Sequence, residues 1–205
     1  MDFFIVIFLS YLSGSIPFGL VLTKLFANKD IRNIGSGNIG ATNVLRTGNK
    51  YLAASTLILD IIKGYVPATL AINYFPELIE LACISAFLGH LFPIWLKFKG
   101  GKGVATYLGI ITALSIKLTF LFLFTWIVIS LIFKFSSVSS MFSSLTVFVV
   151  NFLRETVVSA DVSLLVIKNN VPDSKILFIF FILIIFTHRK NISNLKNKTE
   201  NKIKI

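Results

Sequence analysis

Two short segments hold most of the residues whose types and spacing could do chemistry. The first, Asn33-Ile-Gly-Ser-Gly-Asn-Ile-Gly-Ala-Thr-Asn-Val-Leu-Arg46, sets Gly35, Gly37 and Gly40 among Ser36, Asn38, Thr42, Asn43 and Arg46. Glycines let backbone N–H groups converge on an anion, amides and hydroxyls add neutral donors, and a guanidinium forks around phosphate. The three glycines also match G-x-G-x-x-G, with Asp60 twenty residues beyond Gly40. That fingerprint needs a preceding strand within a soluble βαβ unit, whereas here a membrane-length apolar run comes first, so dinucleotide binding is rejected. A plain solvated turn calls for neither the arginine nor so many asparagines, and a phosphate site is the better reading. The second segment is Lys97-Phe-Lys-Gly-Gly-Lys-Gly-Val-Ala-Thr106. It is no Walker loop, because Leu96 stands five residues before Gly101 and Gly103 follows Lys102. It does run into an apolar helix starting at Val104, so glycines, Lys102 and a helix N-terminus combine as an anion-binding end. A topogenic basic loop accounts for Lys97 and Lys99 but not for the glycines around Lys102.

Other candidates carry two readings each. Asp60 and Lys63 lie three apart on one helical face inside an apolar run. They are either a self-neutralising pair or a carboxylate holding Lys63 as a further phosphate contact. His90, in Gly89-His-Leu-Phe-Pro93, caps or packs. His188 and Asn191 stand at the inner end of the last apolar run, where an imidazole can anchor, bind an oxyanion or move a proton. Hydroxyls of Ser136–Ser140 can line a phosphate site, although poor lipid solubility is the simpler account. The glycines and proline of Ser13-Gly-Ser-Ile-Pro-Phe-Gly19 serve either helix packing or a break beside a site. Cys83 is the single cysteine, the two histidines lie far apart and no G-x-S-x-G occurs, so disulfide, metal and serine-hydrolase chemistry are not expected.

The elements that must position these residues are membrane helices. Of 205 residues, 55% are hydrophobic and 14% charged, with 21 phenylalanines and a mean hydropathy of +0.84. That is too little polar material to cover a water-facing surface. Apolar runs fall near 3–26, 51–73, 78–96, 104–116, 118–133, 141–153 and 176–187, predicting an all-α polytopic membrane protein of about seven transmembrane helices. The later runs are short, and five or six crossings also fit. With the N-terminus outside, the segments 27–50, 97–103, 134–140 and 188–205 carry 14 basic residues and the outer ones 4. The positive-inside rule therefore places the glycine-rich loops and a basic tail, 188–205, in the cytoplasm. It also explains the net charge of +11 without nucleic acid. Asp2 stands where a signal peptide has its basic region and no A-x-A site follows, so the first run is expected to stay in the mature chain.

Six of these motifs, from Gly14-Ser-Ile-Pro-Phe-Gly19 through Asp60-Ile-Ile-Lys-Gly64 to His188-Arg-Lys-Asn-Ile192, occur in an order and spacing that resembles one family. It is that of the bacterial acyl-phosphate:glycerol-3-phosphate acyltransferases, the PlsY family, and the resemblance covers most of the chain. It implies a single integral-membrane acyltransferase domain over 1–205, in the bacterial inner membrane with its active site facing the cytoplasm. The implied reaction moves a fatty acyl group from acyl phosphate to the 1-hydroxyl of sn-glycerol 3-phosphate, without coenzyme A, acyl carrier protein or any cofactor. A soluble acyl-phosphate synthase of PlsX type is the implied partner, beside the lipid bilayer. Carried over residue by residue, Ser36, Lys102 and His188 are catalytic. Arg46, Asn38, Asn43, Gly101, Asn191, Ser140 and Lys63 bind or support substrate. Asn194 and Lys198 stand where the family tail has Arg and Gly, and 151–175 is more polar than the family pattern. The His-x4-Asp pattern of other glycerolipid acyltransferases is absent, with Trp95 and Ser193 at the required positions. The competing reading from another class is a phosphate or organophosphate transporter. It requires paired broken helices in an internal repeat, and the sequence offers one Gly/Pro break and no repeat.

Overall fold

A computed structural model describes residues 1–160 and 172–203. It is helical, and no strand occurs among the described residues. Five helical segments are long and apolar enough to cross a membrane: Asp2–Ala27, Lys50–Tyr74, Pro76–Leu96, Ile116–Phe133 and Ser136–Val157. The pair Ser174–Thr187 and Arg189–Lys196, bent by 54°, makes a sixth if it is one span, and Val104–Leu114 is a shorter apolar helix. The chain divides into two compact units, Met1–Ala113 and Leu114–Ile205.

In the first unit the opening run is broken, as its Gly/Pro content allows. Helix α1 (Asp2–Ser15) stops at Ile16, which is extended, and α2 (Phe18–Ala27) restarts after Pro17. Proline cannot donate into the ladder and pushes the residue before it out of helical geometry. Helix α3 (Ala41–Leu45) is a short turn within the first glycine-rich segment. Three apolar helices follow, α4 (Lys50–Tyr74), α5 (Ile79–Leu91) and α6 (Val104–Leu114). Helices α1 and α5 pack backbone to backbone. A Cβ at Gly14 would overlap the Ala86 carbonyl, and one at Gly89 the Tyr11 carbonyl. In lipid there is no hydrophobic drive between helices, so such close approach is what holds them together.

The second unit contains α7 (Ile116–Phe133), α8 (Ser136–Ala160), α9 (Ser174–Thr187) and α10 (Arg189–Lys196). Helix α7 leaves Phe120, Phe124, Leu131 and Ile132 exposed, consistent with a lipid-facing side. Helix α8 starts well before the apolar run at 141, and Ser136–Ser140 belong to it rather than to a loop. The reason is local: Ser139 and Ser140 hydroxyls donate to the Phe135 and Ser136 carbonyls of their own chain, at 2.9 and 2.8 Å. Serine thereby hides its polarity in the helix and stays small enough for packing. Some of the unexpected polarity after 150 is also spent locally. Asn151 donates to Pro172 and Ser174, Glu155 accepts from the Ser174 N–H, and Asp173 caps α9 through the Lys175 N–H. Residues 161–171, with Asp161 and Lys168 of the expected outer segment, lie outside the described residues, as does Lys204 of the tail.

Candidate active site

The first glycine-rich segment is built around a single amide. Asn43 is 2% exposed. Its Oδ1 accepts from the Ser36 N–H at 3.0 Å, and its Nδ2 serves the carbonyls of Ile31, Ile34 and Asn38 at 3.1, 2.9 and 2.8 Å. The side chain sequence reasoning lists among substrate contacts is thus fully engaged with its own loop, as a hub. Apolar residues anchor the same loop from beneath, with Ile31, Ile39 and Val44 packing against Leu20, Leu52 and Ala53. Between these anchors Ser36 and Arg46 remain exposed and Asn38 half-buried, its Oδ1 accepting from the Ile39 N–H. Gly35 adopts φ +55°, and a Cβ there would collide with Asn43 Oδ1 and with the Arg46 side chain. The Arg46 side chain therefore lies against the turn at Gly35. Asp30 fixes the entry: its carboxylate accepts from the Arg32 backbone and guanidinium, with Lys24 3.9 Å away. The hydrogen-bonded Arg32 side chain lowers the Asp30 carboxyl to about 2, and the partnership raises Arg32.

The second segment folds back on the end of α5. The N–H groups of Gly100 and Gly101 donate to the carbonyls of Leu91 and His90, at 3.0 and 3.1 Å. Those carbonyls end a helix and would otherwise lack partners. These two glycine N–H groups are therefore committed to α5. Gly103 sits at φ +82°, where a Cβ would strike the Phe87 ring. Lys102, half-buried, follows directly, one residue before Gly103 and two before the start of α6. Lys97 and Lys99 are exposed.

Asp60 and Lys63 face each other at 2.7 Å, each side chain 3% exposed. The ammonium also donates to the Ile16 carbonyl at the helix break, at 2.7 Å, and stands over the Phe18 ring. Of the two sequence readings, the geometry matches the self-neutralised pair, with Lys63 joining α4 to the break between α1 and α2.

In the second unit His188 is 2% exposed and occupies the joint between α9 and α10. Its Nδ1 contacts the Ile184 carbonyl at 2.8 Å. A carbonyl only accepts, so Nδ1 carries a proton, and in a neutral ring Nε2 would be the basic nitrogen. Asn191, one turn on, donates to Glu200 at 2.6 Å. Glu200 also accepts from Ser137 at 2.9 Å and from Asn194 at 3.3 Å. Sequence reasoning gave Glu200 no role. The available signal was that it is the one acidic residue of the basic tail. Ser140 is 3% exposed, donating to Ser136 and accepting from the Trp126 indole at 3.3 Å.

Comparison with known proteins places the chain among relatives over its whole length. The family model described as glycerol-3-phosphate acyltransferase matches residues 4–198. A glycerol-3-phosphate acyltransferase of Pelagibacter ubique is 52% identical over 205 residues, covering all of both chains. That of Brucella anthropi is 46% identical over 194 residues, 94% of this chain and 89% of the relative. Among solved structures, the crystal structure of the integral membrane glycerol 3-phosphate acyltransferase PlsY (YgiH) in its glycerol 3-phosphate form matches with TM-score 0.88 and 32% identity. The match covers 100% of this chain and 96% of that one. Its lysophosphatidic acid form matches with TM-score 0.84 and 30% identity, covering 98% and 95%. With motifs, helical architecture and whole-length similarity in agreement, the chain belongs to the glycerol-3-phosphate acyltransferase family.

Proposed function

We propose that this membrane acyltransferase uses acyl phosphate as its donor and sn-glycerol 3-phosphate as its acceptor. The observation that carries the reading is the first glycine-rich loop. A buried amide and an apolar anchor hold it rigid while Ser36 and Arg46 are presented outward. A preorganised loop of that kind suits a phosphate, because the ordering cost is met on folding rather than on binding. Ser36, Arg46 and Lys102 grip substrate phosphate, with Asn191 and Ser140 as further contacts and Asn38, Asn43, Gly101 and Lys63 in support.

In the reaction the acceptor 1-hydroxyl oxygen attacks the acyl carbonyl carbon, and the bond from that carbon to the phosphate oxygen breaks. The products are lysophosphatidic acid and inorganic phosphate. The hydroxyl proton passes to His188 Nε2 or to the departing phosphate, which is itself basic enough to take it. Acyl phosphate carries a good leaving group, so positioning and oxyanion stabilisation suffice and no cofactor is required. We place the whole chain, 1–205, in one acyltransferase domain in the cytoplasmic membrane. It has about seven crossings, its N-terminus outside, and its glycine-rich loops and basic tail (188–205) facing the cytoplasm. There a soluble acyl-phosphate synthase can hand over the donor.

The test uses the purified chain in detergent with glycerol 3-phosphate and, in separate arms, acyl phosphate, acyl-coenzyme A and acyl carrier protein thioester. Phosphate release and lysophosphatidate are followed. Turnover is expected with acyl phosphate alone, and turnover with a thioester instead would overturn the donor. Arg46→Ala and Lys102→Ala should each lower kcat/KM more than about tenfold, since a charge-assisted hydrogen bond contributes about 1.5–3 kcal/mol.

A further inference from the structure

The first unit contains a buried polar cluster that gripping phosphate does not by itself require. Asp60, Lys63 and His90 are 2%, 3% and 4% exposed. Burying such groups in an apolar helical unit is costly unless they are paired, and ionisable groups kept there point to a role. His90 Nδ1 makes no hydrogen bond and stands 3.9 Å from Asp60 Oδ1, so ring and carboxylate are neighbours in one polar pocket rather than a bonded pair. The other edge of the ring faces the second glycine-rich loop. His90 Nε2 occupies the space that a Cβ on residue 101 would need, and the His90 carbonyl receives the Gly101 N–H. Gly101 is not in the left-handed region, unlike Gly103. Position 101 therefore excludes a side chain because the imidazole is there, not because of its backbone. The next residue is Lys102.

We propose that His90 is a positioning residue for Lys102. Its ring and carbonyl together set the height and angle at which the Gly100–Gly103 turn presents the lysine to a substrate phosphate. The Asp60–Lys63 pair walls the ring in, and Lys63 ties that wall to the Ile16 carbonyl at the break in the first apolar run. The inference rests on the phosphate-gripping role given to Lys102 above. It adds that this role depends on a side chain of helix α5, outside the loop, that need not touch substrate.

Four full-length proteins in detergent test it: wild type, His90→Ala, Gly101→Ala and the double variant. Two readouts are taken, steady-state kinetics with acyl phosphate and calorimetric binding of glycerol 3-phosphate. Misplacing a phosphate contact by an ångström suffices to lower kcat/KM about tenfold or more, and both single variants should show this. Weaker binding or a raised KM should accompany it, while melting temperature stays close to wild type. The double variant should be better than Gly101→Ala alone, because the added methyl enters the space the ring has left. His90→Ala with unaltered kinetics and binding, or a double variant whose losses multiply, would overturn the proposal. If His90→Ala does not fold, His90→Asn alone and with Gly101→Ala makes the same comparison with less volume removed. A wild type that binds glycerol 3-phosphate but does not turn over acyl phosphate defeats the donor reading. The binding arm still decides this one.

Discussion

Asn43 shows how a residue can be singled out from sequence while the direction of its side chain stays illegible. Its type and its place among glycines marked it for the site, yet the amide satisfies four backbone groups of its own loop. Nothing in the spacing separates an outward donor from an inward hub, because the distinction depends on which side of the loop the apolar Ile31, Ile39 and Val44 fall. The expected consequence is sharp. Asn43→Asp places a carboxylate against three carbonyl oxygens and should harm the loop at least as much as Asn43→Ala. Either change should cost about 2–4 kcal/mol, since buried backbone groups lose their partners. Faster hydrogen exchange confined to residues 31–46, with kcat/KM falling in parallel, is the measurement that checks it. Asp30 makes a different prediction at the same loop. Its carboxyl is held at about 2 by Arg32, against 3.8 for an unperturbed group. A depressed folded value means the contribution is present above the unfolded value and is lost as the carboxyl protonates. The wild-type advantage over Asp30→Asn should thus be full at neutral pH and shrink between about pH 4 and pH 2. Asparagine can still cap the turn at Arg32, so the thermal melts of the two proteins isolate the charge.

At the level of elements, the break between α1 and α2 was one of two readings the sequence offered, because proline and glycine act through the local backbone. What could not be read was the partner of the broken end. Lys63 reaches the Ile16 carbonyl across 47 positions of chain, and only the packing of α4 against the first run brings them together. Removing one member of a buried pair strands the other charge, so Asp60→Asn and Lys63→Met should each destabilise by about 3–5 kcal/mol. The double change Asp60→Leu with Lys63→Met removes both charges and should recover much of the melting temperature. Activity should not recover with it, since the wall beside His90 is gone. The C-terminal tail presents the same problem of reach. Its basic composition reads as topogenic, and its binding to α8 depends on Glu200 meeting Ser137, 63 residues away. Glu200→Gln keeps the shape but replaces one of the two acceptor oxygens with a donor, so that either Asn194 or the Ser137 and Asn191 pair meets a group that also donates. Protease sensitivity or exchange in residues 197–203 should rise while α7 and the body of α8 are unaffected.

For the molecule as a whole, composition and charge were enough to identify a polytopic membrane helix protein, whereas the number of crossings turns on one short element. Helix α6 has 11 residues, about 16 Å at 1.5 Å per residue, against the roughly 30 Å of a bilayer core. Hydropathy registers an apolar run there but cannot say whether a helix of half the usual length still carries the chain across. The topology proposed above has α6 crossing, and the charge count is what supports it. If α6 did not cross, every segment beyond residue 114 would change sides, and the basic tail would lie opposite the loops at 27–50 and 97–103. The 14 and 4 basic residues of the two faces would then be mixed, against the positive-inside rule. Cys83 is completely buried, so the natural chain gives a silent background for thiol labelling. Lys99→Cys, Lys117→Cys and Lys196→Cys then bracket the question. A membrane-impermeant maleimide added to intact cells with the outer envelope removed should label position 117 alone. Positions 99 and 196 should react only after the membrane is opened. Labelling at 196 from outside, with 99 protected, would show that α6 turns back without crossing. Labelling at both 99 and 196 from outside would invert the whole chain and place the glycine-rich loops away from the cytoplasm.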